Sequence, residues 1–126
     1  MIPGDAGDTQ EADVKFLISM ADVEDEWDSL PRAERERVGA CHAAFQRELG
    51  ARHLGCWGAR PSGEARTVRR HADGGFSVKS GTMTPTKEPL GGFYIIEASS
   101  MDEAIEWAKK GRFREGPNEV RQLRED

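Results

Sequence analysis

Polar and apolar positions alternate over residues 14–20, with Val14, Phe16, Ile18 and Met20 on one side and Leu17 on the other, the period of a strand. A charged turn over 22–28 follows, and Pro31 suits a first helical turn because its missing amide proton would have no partner there. Val38, Cys41, His42, Phe45 and Leu49 then recur at helical spacing, and Gly50 is placed to stop that helix. Residues 53–59, 65–71 and 76–80 predict three short strands, separated by Pro61-Ser62-Gly63 and by the hairpin turn Asp73-Gly74-Gly75, which together read as a meander. The connection over 81–92 is long for so small a domain, a length often associated with function. Residues 92–98 predict the strongest strand, Phe93 and Ile95 facing one way and Tyr94, Ile96 and Ala98 the other. Ser100 and Glu103 have capping-box spacing, Met101, Ala104, Ile105 and Ala108 form the inner stripe of a second helix that Gly111 ends, and 119–123 supply a last strand.

This order predicts a ferredoxin-like α+β sheet with two helices on one face and an inserted β-hairpin. Residues 13–126 form the domain, and the small, acidic, Gly-rich residues 1–12 read as a flexible leader outside it. Two helices cover only one face of such a sheet. With Tyr94, Ile96 and Ala98 read as an apolar second face, the simplest cover is the sheet of a second copy, so a homodimer is expected.

Composition narrows the partners. A net charge of -5 over 126 residues argues against nucleic acid, and the one basic cluster before the last helix, Arg66, Arg69 and Arg70, reads as an edge-protecting hairpin. No apolar run is long enough to cross a membrane, and residues 1–12 lack the basic start and apolar stretch of a secretory signal, so the expected location is cytoplasmic. Two cysteines without CxxC spacing and three scattered histidines suggest neither a metal site nor a disulfide framework. Cys41 lies about 100° around the helix from His42, so the two make no thiolate dyad. Gly91-Gly92 precedes a strand instead of opening a helix, which speaks against a phosphate loop, and no cofactor is expected.

Several segments carry a resemblance. Thr86-Lys87-Glu88-Pro89-Leu90-Gly91-Gly92-Phe93-Tyr94-Ile95-Ile96-Glu97-Ala98, followed by Met101-Asp102-Glu103-Ala104-Ile105-Glu106-Trp107-Ala108, resembles the paired signatures of YCII-related proteins of the DGPF type. His42-Ala43-Ala44-Phe45, Arg66-Thr67-Val68-Arg69 and Glu119-Val120-Arg121 resemble further segments of that family. The resemblance implies a dimeric α+β barrel with a cleft between the sheet and the first helix. It also implies an acid/base pair made of a helix histidine and a nearby aspartate, which fits lyase or dehydrochlorinase chemistry. The histidine carries over to His42, but Ser80-Gly81-Thr82-Met83 stands where the family has Asp-Gly-Pro-Phe. A hydroxyl can hydrogen-bond an imidazole but cannot neutralise its charged form as a carboxylate does. Glu88 and Glu97 are the alternative carboxylate partners.

The sequence thus points to a cofactor-free small-molecule pocket with His42 as its catalytic residue and Ser80, Thr82, Met83, Lys87, Tyr94 and Trp57 as ligand-binding residues. Lyase- or isomerase-type proton transfer is the expected chemistry. The alternative is a non-catalytic regulatory module that binds a metabolite or a partner protein.

Overall fold

The computed structural model describes residues 13–21, 26–84, 86, 88–111 and 116–125, without the side chains of Glu26 and Asp28. The leader expected over 1–12, and Lys87, lie outside the described residues. Strand β1 (Val14–Ala21) is followed by a single helical turn (Glu26–Ser29), helix α1 (Arg32–Leu49), β2 (His53–Gly58), β3 (Arg66–Arg70), β4 (Phe76–Ser80), β5 (Leu90–Ala98), α2 (Met101–Lys110) and β6 (Asn118–Gln122). Four strands form one antiparallel sheet in the order β2-β5-β1-β6, the ferredoxin-like arrangement, while β3 and β4 form a two-stranded sheet of their own.

The registers decide what is buried. Phe16 lies opposite Ile96 and Ile18 opposite Tyr94, so the strongest apolar positions of the two central strands share one face. Val38, Phe45 and Leu49 of α1 and Ala104 of α2 close over Phe16, Ile18, Tyr94, Ile96 and Ala98 to make the core. Each large side chain sealed there contributes roughly 1.5–3 kcal/mol. The expectation that Tyr94, Ile96 and Ala98 form the face turned away from the helices is therefore corrected. Those residues lie under the helices, and the other face carries Leu17, Phe93 and Ile95 with Trp57 at its edge. Both faces of β5 are apolar, so the strand alone does not say which is inside; its pairing with Phe16 and Ile18 does.

The expected meander is also corrected. Strand β2 pairs with β5 and not with β3, because Pro61, its ring holding φ at -52°, opens a 3-10 turn over Ser62–Glu64 that leads the chain away from the sheet. The hairpin closes where the amide of His71 donates to the Gly75 carbonyl at 2.7 Å, with Gly74 at φ 90° supplying the left-handed position.

Both helices end as the sequence predicts. Helix α1 begins just after Pro31 and stops at Gly50, at φ 55°. At α2 the Glu103 amide donates to Ser100 Oγ at 3.1 Å, while the Glu103 carboxylate accepts from the amide and hydroxyl of Ser99 at 2.7 and 2.8 Å. That carboxylate also accepts from Trp107 Nε1 at 3.2 Å and pairs with Arg52 at 3.0 Å, tying α2 to the turn that follows α1. No helix among the described residues is long and apolar enough to cross a membrane.

Candidate functional site

A cavity of about 720 Å³ opens between α1 and the strand ends. Its walls include His42 and Gln46 from α1, Met20 from β1, Cys56 from β2 and Tyr94 from β5, with Trp27 of the short helical turn also on the lining. His42 and Gln46 stand one helical turn apart, which sets both on the same side of α1 and over the same strand residue.

That residue is Tyr94. Its hydroxyl lies 2.7 Å from His42 Nδ1 and accepts from Gln46 Nε2 at 3.1 Å; the Gln46 amide also lies 3.4 Å from Cys56 Sγ. The His42 and Tyr94 rings are stacked 10° from parallel with centroids 5.8 Å apart, and Phe45 meets Tyr94 edge-on at 5.1 Å. Packing therefore fixes the phenol, and the phenol fixes the imidazole. The His53 ring also lies near Tyr94, with centroids 5.6 Å apart, and its buried Nε2 has no hydrogen-bond partner among the described residues.

Burial sets the protonation states. It pushes the His42 pKa below its ordinary 6.5, which keeps the ring neutral at neutral pH. It pushes Tyr94 up to about 12, assisted by Cys56 and opposed by the Gln46 hydrogen bond, so the phenol keeps its proton. Two tautomers satisfy the 2.7 Å contact. If Tyr94 donates to Nδ1, Nε2 carries the ring proton and acts as a hydrogen-bond donor. If Nδ1–H donates to the phenol oxygen, Nε2 carries a lone pair and acts as a base.

Of the residues singled out from sequence, His42, Tyr94 and Trp57 line this cavity. The Trp57 ring, however, lies on the opposite side of its strand from Cys56, beside Phe93 at 5.6 Å and over Gly55, where a Cβ would come within 2.8 Å of the indole. Ser80, Thr82 and Met83 do not line it. Ser80 ends β4 in an exposed position, Thr82 donates to the Thr84 carbonyl at 3.0 Å, and Met83 is exposed. Glu88 and Glu97 are likewise absent from the lining; Glu97 alternates with Ile96 and sits on the face away from α1. The hydrogen-bond partner of His42 Nδ1 is thus a tyrosine in place of the serine or glutamates that the sequence suggests. Sequence reasoning misses Gln46, although its position one turn after His42 is the signal that marks it. Among the described residues no group of three or more His, Cys, Asp or Glu side chains is arranged to hold a metal.

Sheet order, helix placement and a polar cluster in the helix–sheet cleft define a ferredoxin-like α+β domain. Within that class, residues 14–125 match the YCII-related domain, and the chain belongs to the YCII-related family. The chain is similar to an uncharacterized protein of Rhizobium meliloti (strain 1021), with 37% identity over 79 residues covering 62% of this chain. The match spans 64% of the length of that relative.

Proposed function

We propose that the cavity binds a small organic molecule and that His42 moves a proton to or from it, in lyase- or isomerase-type chemistry that needs no cofactor. The observation carrying this reading is the 2.7 Å contact between His42 Nδ1 and Tyr94 Oη at the cavity wall, which orients a neutral imidazole. In the tautomer whose Nδ1–H donates to the phenol oxygen, the neutral ring presents Nε2 as a base, and the buried phenol keeps its own proton. Leu17, Phe93, Ile95 and Trp57 give the outer sheet face an apolar patch beside Lys15 and Glu97, and that patch supports a homodimer formed across the face.

The test is a thermal-shift screen of a small-molecule library with the native chain and its His42→Ala variant, since a ligand that binds only the folded state raises its melting temperature. Each hit is then assayed for turnover. A ligand consumed by the native chain and bound but not consumed by His42→Ala supports proton transfer by His42. Turnover unchanged in the variant would remove His42 from the chemistry.

A second reading, a non-catalytic metabolite- or partner-binding module, is favoured by the identity of the His42 partner. A phenol with a pKa of about 12 stabilises an imidazolium far less than a carboxylate does. Binding without turnover in the same screen would support this module.

A further inference from the structure

Arg35, Val38, Gly39, His42 and Gln46 bring α1 to the cavity wall. Steps of three and four residues set them along one side of the helix, with Arg35 two turns, roughly 10 Å along the axis, before His42. Between those two stands Gly39, and a Cβ built there meets no atom of the described residues within 4 Å. Packing inside the chain does not require that position to be small, and alanine would hold the helix better. The bare stretch of α1 between the guanidinium and the imidazole is room for a ligand lying along the helix.

Charge on this wall has one sign. Asp and Glu outnumber Lys and Arg by 23 to 18 in the chain, yet among the described residues the charged side chains on the lining are Arg35 and Arg60. The Arg60 side chain is 83% exposed and holds Glu64 at 3.1 Å, which largely answers its charge at the rim. Arg35 is half-buried. It already takes part in an interaction of its own, but a guanidinium has several N–H donors, and one partner leaves others for an incoming pair of oxygens. That planar fork matches a carboxylate.

We infer that the cavity takes a small organic carboxylate, held at its acidic end by Arg35 and laid over Gly39 toward His42. The inference rests on the small-molecule reading proposed above and names the class of that ligand. Charge fixes one end of such a molecule, and the apolar and aromatic wall made by Met20, Trp27, Val38 and Tyr94 receives its body. Arg35 thereby sets which ligands enter and how they are turned, while His42 meets the end away from the carboxylate.

The test is an NMR titration of the full chain with benzoate, phenylacetate and hydrocinnamate and with their primary amides, which keep the shape and lose the charge. The native chain is compared with Arg35→Gln, Arg35→Lys and Gly39→Leu, and circular dichroism confirms folding. At least one acid is expected to bind the native chain about tenfold or more tightly than its amide. Arg35→Gln should bring that acid to the affinity of the amide, and Arg35→Lys, which keeps the charge without the fork, should fall between. Gly39→Leu should weaken acid and amide alike while its melting temperature stays at or above the native one. Equal affinity of each acid and its amide, or an acid preference that both Arg35 variants keep, would overturn the carboxylate site and leave a small-molecule cavity standing. Acid affinity unchanged in Gly39→Leu would overturn the placement along α1. Binding of neither acids nor amides would overturn the carboxylate class, and the cavity reading would fall with it only if the library screen also gave no hit.

Discussion

Phe16 sits directly opposite Ile96 across the ladder that joins the two central strands, and both side chains are fully buried under the helices. Ile95, one residue away, pairs with Leu17 on the other face. Two neighbouring isoleucines therefore answer to different environments. Replacing Ile96 with Asp puts a carboxylate into the core, where desolvation alone costs several kcal/mol in addition to the lost apolar burial. That is a large part of the roughly 5–15 kcal/mol by which a domain is stable. Ile96→Asp should unfold the chain in a urea titration followed by circular dichroism. Ile95→Asp should keep the fold and, in the proposed homodimer, weaken association measured by light scattering; an unfolded Ile95→Asp would contradict the assignment of the two faces.

This pair also marks how far the sequence can be read. Helix α1, with its apolar stripe of Val38, Phe45 and Leu49 and its stop at Gly50, is legible because its period and terminus are local properties. The faces of β5 are not, because Phe93, Ile95, Tyr94 and Ile96 are all apolar and only the register against β1 separates them. The site divides along the same line. His42 is legible from its place on the helix, but its contact with Tyr94 joins residues 52 positions apart through a strand pairing that no local pattern encodes. Resemblance to a family motif points to Ser80, which the isolated ribbon carries elsewhere.

Removing one hydroxyl tests the site's hydrogen bonds. Tyr94→Phe keeps the ring that packs against Phe45 and deletes the oxygen shared by His42 and Gln46. Losing a partner for buried polar groups costs about 1–3 kcal/mol, so the melting temperature should fall by several degrees without loss of the fold. With a substrate from the library screen, turnover should fall more than ligand affinity, because the ring that lines the cavity is kept and the lost hydroxyl is the group that orients the imidazole. Native-like stability in Tyr94→Phe would show that the two contacts add nothing to the folded state.

His42 gives the fold a pH dependence of definite sign. Burial lowers its pKa below 6.5, so the unfolded chain binds the proton more tightly than the folded one. The contribution of the neutral ring is fully present above the ordinary histidine value and is lost as pH falls through the lowered folded value. Stability from urea titrations should therefore decline on acidification from pH 7 through this window, and less steeply in His42→Gln. Equal slopes for the two proteins would assign the dependence to other groups.

Glu103 acts at lower pH. Burial alone would raise its pKa, but hydrogen bonds from the Ser99 amide and hydroxyl and from Trp107, together with the Arg52 charge, outweigh that effect and hold it below its ordinary 4.5. A folded value below the unfolded one means that this group stabilises the fold above the ordinary carboxylate range, and that the contribution is lost as pH falls through the lowered value. Glu103→Ala removes the acceptor at the start of α2 and the tie to Arg52 together, and loss of such a cap costs about 1–2 kcal/mol. Glu103→Gln keeps an acceptor oxygen but not the charge, so it should fall between Glu103→Ala and the native chain at pH 7. The native chain should approach Glu103→Gln as the carboxyl protonates, a convergence that urea titrations from pH 7 to pH 3 would follow. If the gap between native and Glu103→Gln stayed constant over that range, the carboxylate charge would not be what anchors α2.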